Sequence, residues 1–128
     1  GNCPMRSLLV LLSLVTLPAF ADGLSGEAVY NGTCVNCHGA GKDNAPIFAN
    51  KQAWGKLVKE GLNDLVPAAL NGIRKMPAKG GNAALSDMEV ARGVVYMANA
   101  GGGKFAEPSS EDVARWRAKA DKKKRKAT

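Results

Sequence analysis

The run Cys34-Val35-Asn36-Cys37-His38 constrains this chain more than any other feature. Two thiols three positions apart fall on one turn of backbone, and a histidine follows directly. That spacing is the attachment pattern of a c-type haem. The thiols add across the two vinyl groups of the porphyrin as thioethers, and the next imidazole points at the iron. A chain built around such a plate needs short segments able to close over both faces. The plate also answers a shortage, because aromatic residues make up only 5% of the 128 residues. A domain this small has a poor ratio of core to surface and often needs a metal, a disulfide or a partner.

Other chemistries fit the motif less well. A thioredoxin-like redox pair would need a βαβ setting, which the pattern lacks. A zinc site needs four ligands, and His38 is the only histidine. A plain disulfide between Cys34 and Cys37 stays open but leaves His38 without a role. The third cysteine, Cys3, lies ahead of an apolar run and is expected to be lost with it.

That run follows Met5-Arg6 and extends from Ser7 to Leu17, ending in Pro18-Ala19-Phe20-Ala21. A positive charge, an apolar stretch and an A-x-A end describe a secretory signal peptide over 1–21, with cleavage after Ala21. The stretch is short for a spanning helix, which needs about 20 apolar residues. Residues 1–4 fit no part of such a leader. The mature protein is expected to be periplasmic.

Charge divides the remainder. Residues 22–107 hold nine Lys/Arg against eight Asp/Glu, whereas residues 108–128 hold eight against three. The net charge of +7 therefore describes a tail rather than a basic domain, and nucleic acid is not an expected partner.

Punctuation along 22–107 predicts short helices joined by Gly-rich loops. Ser25 caps a first helix over roughly 26–30, leading into the motif. Asn50 caps a second helix near 51–60, with Trp54, Leu57 and Val58 on one face, and Gly61 stops it. Asp64 caps a third through Leu70, with Pro67 in its first turn, and Asn71-Gly72 ends it. Ser86 and Glu89 form a capping box for a fourth helix carrying Val90, Val94 and Met97. Nothing alternates with period two, so the class is all-α. Ser109 with Asp112 starts one more helix, carrying Val113, Trp116 and Ala120. Its end, Lys122-Lys123-Lys124-Arg125-Lys126, is expected to be frayed and disordered.

An electron-transfer haem needs a sixth ligand, and methionine opposite histidine raises the potential. Met5 belongs to the leader, and Met88 and Met97 sit on a helix, where methionine usually fills core gaps. Met76 lies in an irregular loop, followed by Pro77, and can be placed over the far haem face.

Several segments are similar to the small class I bacterial cytochromes c, and most to the cytochrome c-five type. They are Gly26-Glu27-Ala28-Val29-Tyr30, the motif with Gly39, Ala45-Pro46, Trp54, and Ala69-Leu70-Asn71-Gly72 leading to Met76-Pro77-Ala78-Lys79-Gly80-Gly81. The resemblance covers about eighty residues, from Gly26 to Phe105. It implies about four short helices around one covalent haem c, with 108–128 as a basic helix or tail outside the pattern. It implies that Cys34 and Cys37 bind the haem and that His38 and Met76 ligate the iron. It also implies that a carbonyl at Ala45 or Pro46 accepts the second ring N–H of His38. Trp54 would pack near the haem and hydrogen-bond a propionate, or else be a plain core tryptophan. The second cysteine pair often found in that subgroup is absent after His38.

The function expected is one-electron transfer between extracytoplasmic redox partners, by a carrier that is not itself an enzyme. The donor would be a cytochrome complex or dehydrogenase, and the acceptor an oxidase or reductase. The alternatives are a haem subunit of a larger redox complex, or a gas-binding or peroxide-handling protein if Met76 does not ligate. Lys42, Lys75 and Lys79 would steer acidic partners, unless they are ordinary solvated charge. The basic tail would be solvated, dock an acidic partner, or lie on an anionic membrane with Trp116 at the interface.

Overall fold

The structure, a computed structural model, describes residues 23–128 together with residues 1, 2, 4, 13 and 14. The expected leader and its cleavage point after Ala21 lie almost wholly outside the described residues. The helical run that carries the motif comes first. It consists of α1 (Gly26–Val29), one π turn (Tyr30–Cys34) and α2 (Val35–His38). Ser25 caps it, its Oγ accepting the Ala28 N–H at 3.1 Å. Dihedrals stay right-handed helical through Cys34, so Cys34 and Cys37 share one stretch of helix. Single π turns inside helices are frequent at functional sites.

Helix α3 (Lys51–Glu60) starts where Asn50 accepts the N–H groups of Gln52 and Ala53. Gly61, at φ +85°, ends it and lets α4 (Leu62–Asn71) begin immediately. The start of α4 therefore precedes the expected cap at Asp64, and Pro67 falls beyond the first turn. Pro67 has no N–H to give the Asn63 carbonyl. That carbonyl instead accepts from Lys119 Nζ at 2.7 Å.

Helix α5 (Asp87–Ala100) opens with the expected capping box of Ser86 and Glu89, and Val90, Val94 and Met97 are buried. Helix α6 (Ser110–Ala127) opens with a second box formed by Ser109 and Asp112. No strand occurs among the described residues; an isolated bridge pairs Ile73 with Met76. No helix among them is long and apolar enough to cross a membrane.

The frame is the crossing of α1 on α5. A Cβ on Gly93 would lie 2.8 Å from Val29 Cγ1, and one on Gly26 would lie 2.9 Å from Tyr96 Cβ. Only glycine permits so close an approach. One apolar cluster joins Val29, Val66, Leu70, Ala91 and Val94; a second joins Tyr30, Trp54, Met97 and Ala98.

The C-terminal segment corrects two expectations. Val113, Trp116 and Ala120 belong to the same cluster as Val66 and Leu70, and the helix continues through Ala127 rather than fraying at Lys122. Trp116 is only 3% exposed, with its indole N–H on Asn63 Oδ1 at 2.8 Å. It is committed to the core and is not available to a membrane interface. Three small or flat side chains suffice for this docking because α4 supplies polar partners beside them, among them the Asn63 carbonyl that Pro67 leaves vacant.

Candidate functional site

Cys34, Cys37 and His38 stand at the end of the first helical run, and three successive residues of the following loop hold His38 in place. His38 is 7% exposed, and its Nδ1 lies 2.9 Å from the Pro46 carbonyl. A carbonyl only accepts, so Nδ1 carries the proton and Nε2 keeps the free lone pair. Next, the Ile47 carbonyl accepts the Trp54 indole N–H at 3.0 Å. Phe48 then donates its backbone N–H to the His38 carbonyl at 2.8 Å. The Phe48 ring stacks on Tyr30 at 4.3 Å and on Tyr96 at 5.5 Å between centroids. Loop and imidazole thus form one unit, with the Trp54 ring 6.1 Å from that of His38.

Both cysteines are half-buried and free. Cys34 packs against both apolar clusters, and this burial pushes its thiol pKa up, opposed by a backbone hydrogen bond. The disulfide reading is not realised. Among the described residues no three His, Cys, Asp or Glu side chains are placed to hold a metal ion by themselves.

Met76 occupies a tight turn. Its N–H donates to the Ile73 carbonyl at 2.9 Å and its carbonyl accepts the Ile73 N–H at 3.0 Å. Gly72, at φ +82°, makes the turn possible, because a Cβ there would lie 2.7 Å from the Met76 carbonyl oxygen. The Met76 side chain is half-buried against the larger cluster. Beyond it, Lys79 donates to the Leu85 carbonyl at 2.6 Å and approaches Asp87 at 3.4 Å. Asn82 donates to Thr33 Oγ1 at 3.1 Å, tying this loop back to the run that carries the cysteines.

Two free thiols on one stretch of helix, an imidazole presenting Nε2, and a thioether on a pinned loop fit a covalently attached haem. A family model described as cytochrome C oxidase, cbb3-type, subunit III matches residues 21–97. The chain belongs to this family of c-type cytochromes. A cytochrome c-555 of Chlorobaculum tepidum is 42% identical over 89 residues, covering 66% of this chain and 82% of that protein. A cytochrome c5 of Azotobacter vinelandii is 37% identical over 75 residues, covering 57% and 90%. A solved structure described as an electron transfer complex of nitrite reductase with cytochrome c matches with a TM-score of 0.57. That match is 38% identical and covers 59% of this chain and 93% of the other. This cytochrome therefore has the small all-α cytochrome c fold, binds one haem c covalently, and is an electron carrier rather than an enzyme.

Trp54 is buried and donates its indole N–H to the Ile47 carbonyl. Of the three lysines expected to steer partners, Lys79 is held by Leu85 and Asp87 and is not a free surface charge. Lys75 is 72% exposed, with Asp43 at 4.0 Å, and Lys42 is exposed. Residues missed in the sequence are Phe48, which locks the histidine loop, and the group Asn71, Asp87 and Arg117 around the methionine loop. Their partners lie far along the chain, so no local pattern marks them.

Proposed function

We propose that this cytochrome shuttles single electrons in the periplasm, with the haem joined to Cys34 and Cys37 and its iron held between His38 and Met76. The observation that carries this reading is the His38 Nδ1–Pro46 carbonyl bond of 2.9 Å, which leaves Nε2 as the ligating nitrogen. The haem, when bound, supplies an iron that cycles between ferrous and ferric states. Pro46 raises the basicity of the imidazole and holds its orientation. Met76, in a turn satisfied by its own backbone, completes a closed site that small ligands do not enter. Trp54 acts on the site through Ile47. The leader over 1–21 exports the chain, and the mature protein begins at Asp22.

The redox partners are proteins with acidic faces. Lys122 to Lys126 are all exposed at the end of α6 and make no ion pair among the described residues, so they favour such faces electrostatically. An anionic membrane surface offers the same complementarity, but the last turns carry no large apolar side chain to insert.

The test is the visible spectrum of the exported, haem-loaded protein, reduced, with and without carbon monoxide. A sharp low-spin spectrum unchanged by carbon monoxide is expected. Rapid conversion to an adduct would show that Met76 does not guard the iron and would remove the carrier with a closed site. N-terminal sequencing of the periplasmic form checks the start at Asp22.

A further inference from the structure

The loop that bears Met76 is held at both ends by one element, α6, which lies wholly beyond the residues matched by the family model. Before the loop, Asn71 at the end of α4 donates its side-chain N–H to the Ala120 carbonyl at 2.7 Å. After it, Arg117 grips Asp87 with two hydrogen bonds, Nε to Oδ2 at 2.8 Å and a terminal guanidinium nitrogen to Oδ1 at 2.7 Å. Asp87 faces Lys79 at 3.4 Å, and Lys79 is three residues past Met76. Asp121 braces the other side of the guanidinium at 3.2 Å. Lys79 sits at φ +55°, a left-handed conformation that a non-glycine residue keeps only when its surroundings hold it.

The seating of α6 is specific. Trp116 bonds Asn63 Oδ1, and Lys119 takes the Asn63 carbonyl that Pro67 leaves without a helical partner. Lys119 also pairs with Asp64 at 3.0 Å. Position along the helix is thereby set, which brings Arg117 and Ala120 opposite the two ends of the loop.

We infer that α6 is the retaining clamp of the methionine loop, with Arg117, Asp87 and Asn71 as positioning residues that keep the Met76 sulfur on the iron. The inference rests on Met76 being the sixth ligand. Releasing the clamp opens the iron to small ligands without detaching the haem or disturbing the histidine loop.

The experiment uses the haem-loaded full chain and two readouts: the rate of carbon monoxide binding to the ferrous form, and the sulfur-to-iron charge-transfer band of the ferric form. Arg117→Gln is expected to speed carbon monoxide binding by about tenfold, the size that loss of a hydrogen bond to a charged group implies, and to weaken the band. Arg117→Lys should recover part of the effect, because it restores charge but not the two-pronged geometry. Should Arg117→Gln fail to fold, Asp87→Asn, which keeps shape and removes charge, serves with the same expectation. Ser25→Ala, which removes the bond from the Ala28 N–H at the start of α1 and no bond of the clamp, controls for general loss of stability and should bind carbon monoxide at the wild-type rate.

If wild type resists carbon monoxide and the Arg117 and Asp87 variants resist it equally, the clamp is overturned while ligation by Met76 stands. An acceleration by Ser25→Ala as large as that of Arg117→Gln would also overturn it. If wild type itself binds carbon monoxide at once and lacks the band, ligation by Met76 fails and the clamp falls with it.

Discussion

The two loops that carry the support of His38 and the Met76 thioether are held by different physics. The histidine loop, 46–48, is fixed by backbone and indole hydrogen bonds and by Phe48 stacked on Tyr30 and Tyr96. The methionine loop, 72–79, has its own tight turn, the Met76 packing and the neutral bonds of Asn71 and Asn82, but it also depends on partly exposed charged groups, Lys79, Asp87 and Arg117. Apolar packing and neutral hydrogen bonds hardly respond to salt, whereas partly exposed ion pairs do. The comparison teaches that the proposed methionine side should yield before the histidine side.

The strongest way to break this contrast is Trp54→Ala. Trp54 is 3% exposed and supports the histidine loop through Ile47, so its removal should cost about 3–5 kcal/mol. Denaturant unfolding of the haem-loaded protein measures the loss. A cost below about 1 kcal/mol would mean that the histidine loop is not anchored by its core. Gly72→Ala attacks the other side. A residue with a Cβ at φ +82°, crowded against the Met76 carbonyl, is expected to cost about 1–3 kcal/mol. The sulfur-to-iron band should bleach in this variant while the haem stays attached.

Acid sharpens the same contrast. Hydrogen bonds from Arg117, then the charges of Arg117 and Lys79, hold the Asp87 carboxyl below the usual carboxylate range, against the effect of burial. The charged groups facing it are Arg117 and Lys79, with Asp121 behind Arg117. Because the folded-state pKa is lowered, the Asp87 contribution is fully present above its unfolded value, about 3.9. It is lost as pH falls through the folded value. Wild type should therefore exceed Asp87→Asn by about 1 kcal/mol near neutrality, the usual worth of such a contact. That gap should close in acid, as followed by unfolding curves at stepped pH. The smallest effect belongs to Lys75→Ala, which removes an exposed 4.0 Å pair with Asp43. A change of at most about 0.5 kcal/mol is expected, vanishing in high salt.

Local chemistry made much of this molecule legible in advance. Ser25, Asn50, Ser86 and Ser109 cap helices where their side chains and following residues say they should, because capping is decided within three or four positions. The cysteine pair with its histidine, and the family, were legible because thioether spacing is a covalent constraint on neighbouring residues. The start of α4 was misread because Gly61 serves both as the stop of one helix and the cap of the next.

The sequence by itself determined the all-α class, the covalent haem, the cysteine pair with His38 beside it on one helical stretch, and the placing of Met76 in a loop. Each of these is written in residues no more than a turn apart. Only the tertiary structure decided that Trp54 serves Ile47, that Lys79 is held rather than free, and that Val113, Trp116 and Ala120 join the core. Those outcomes depend on pairs such as Asn71 with Ala120 and Asn63 with Trp116, about fifty residues apart in the chain. A hydrogen-bond partner at that distance is selected by packing, and no local pattern of hydrophobicity or capping carries its address.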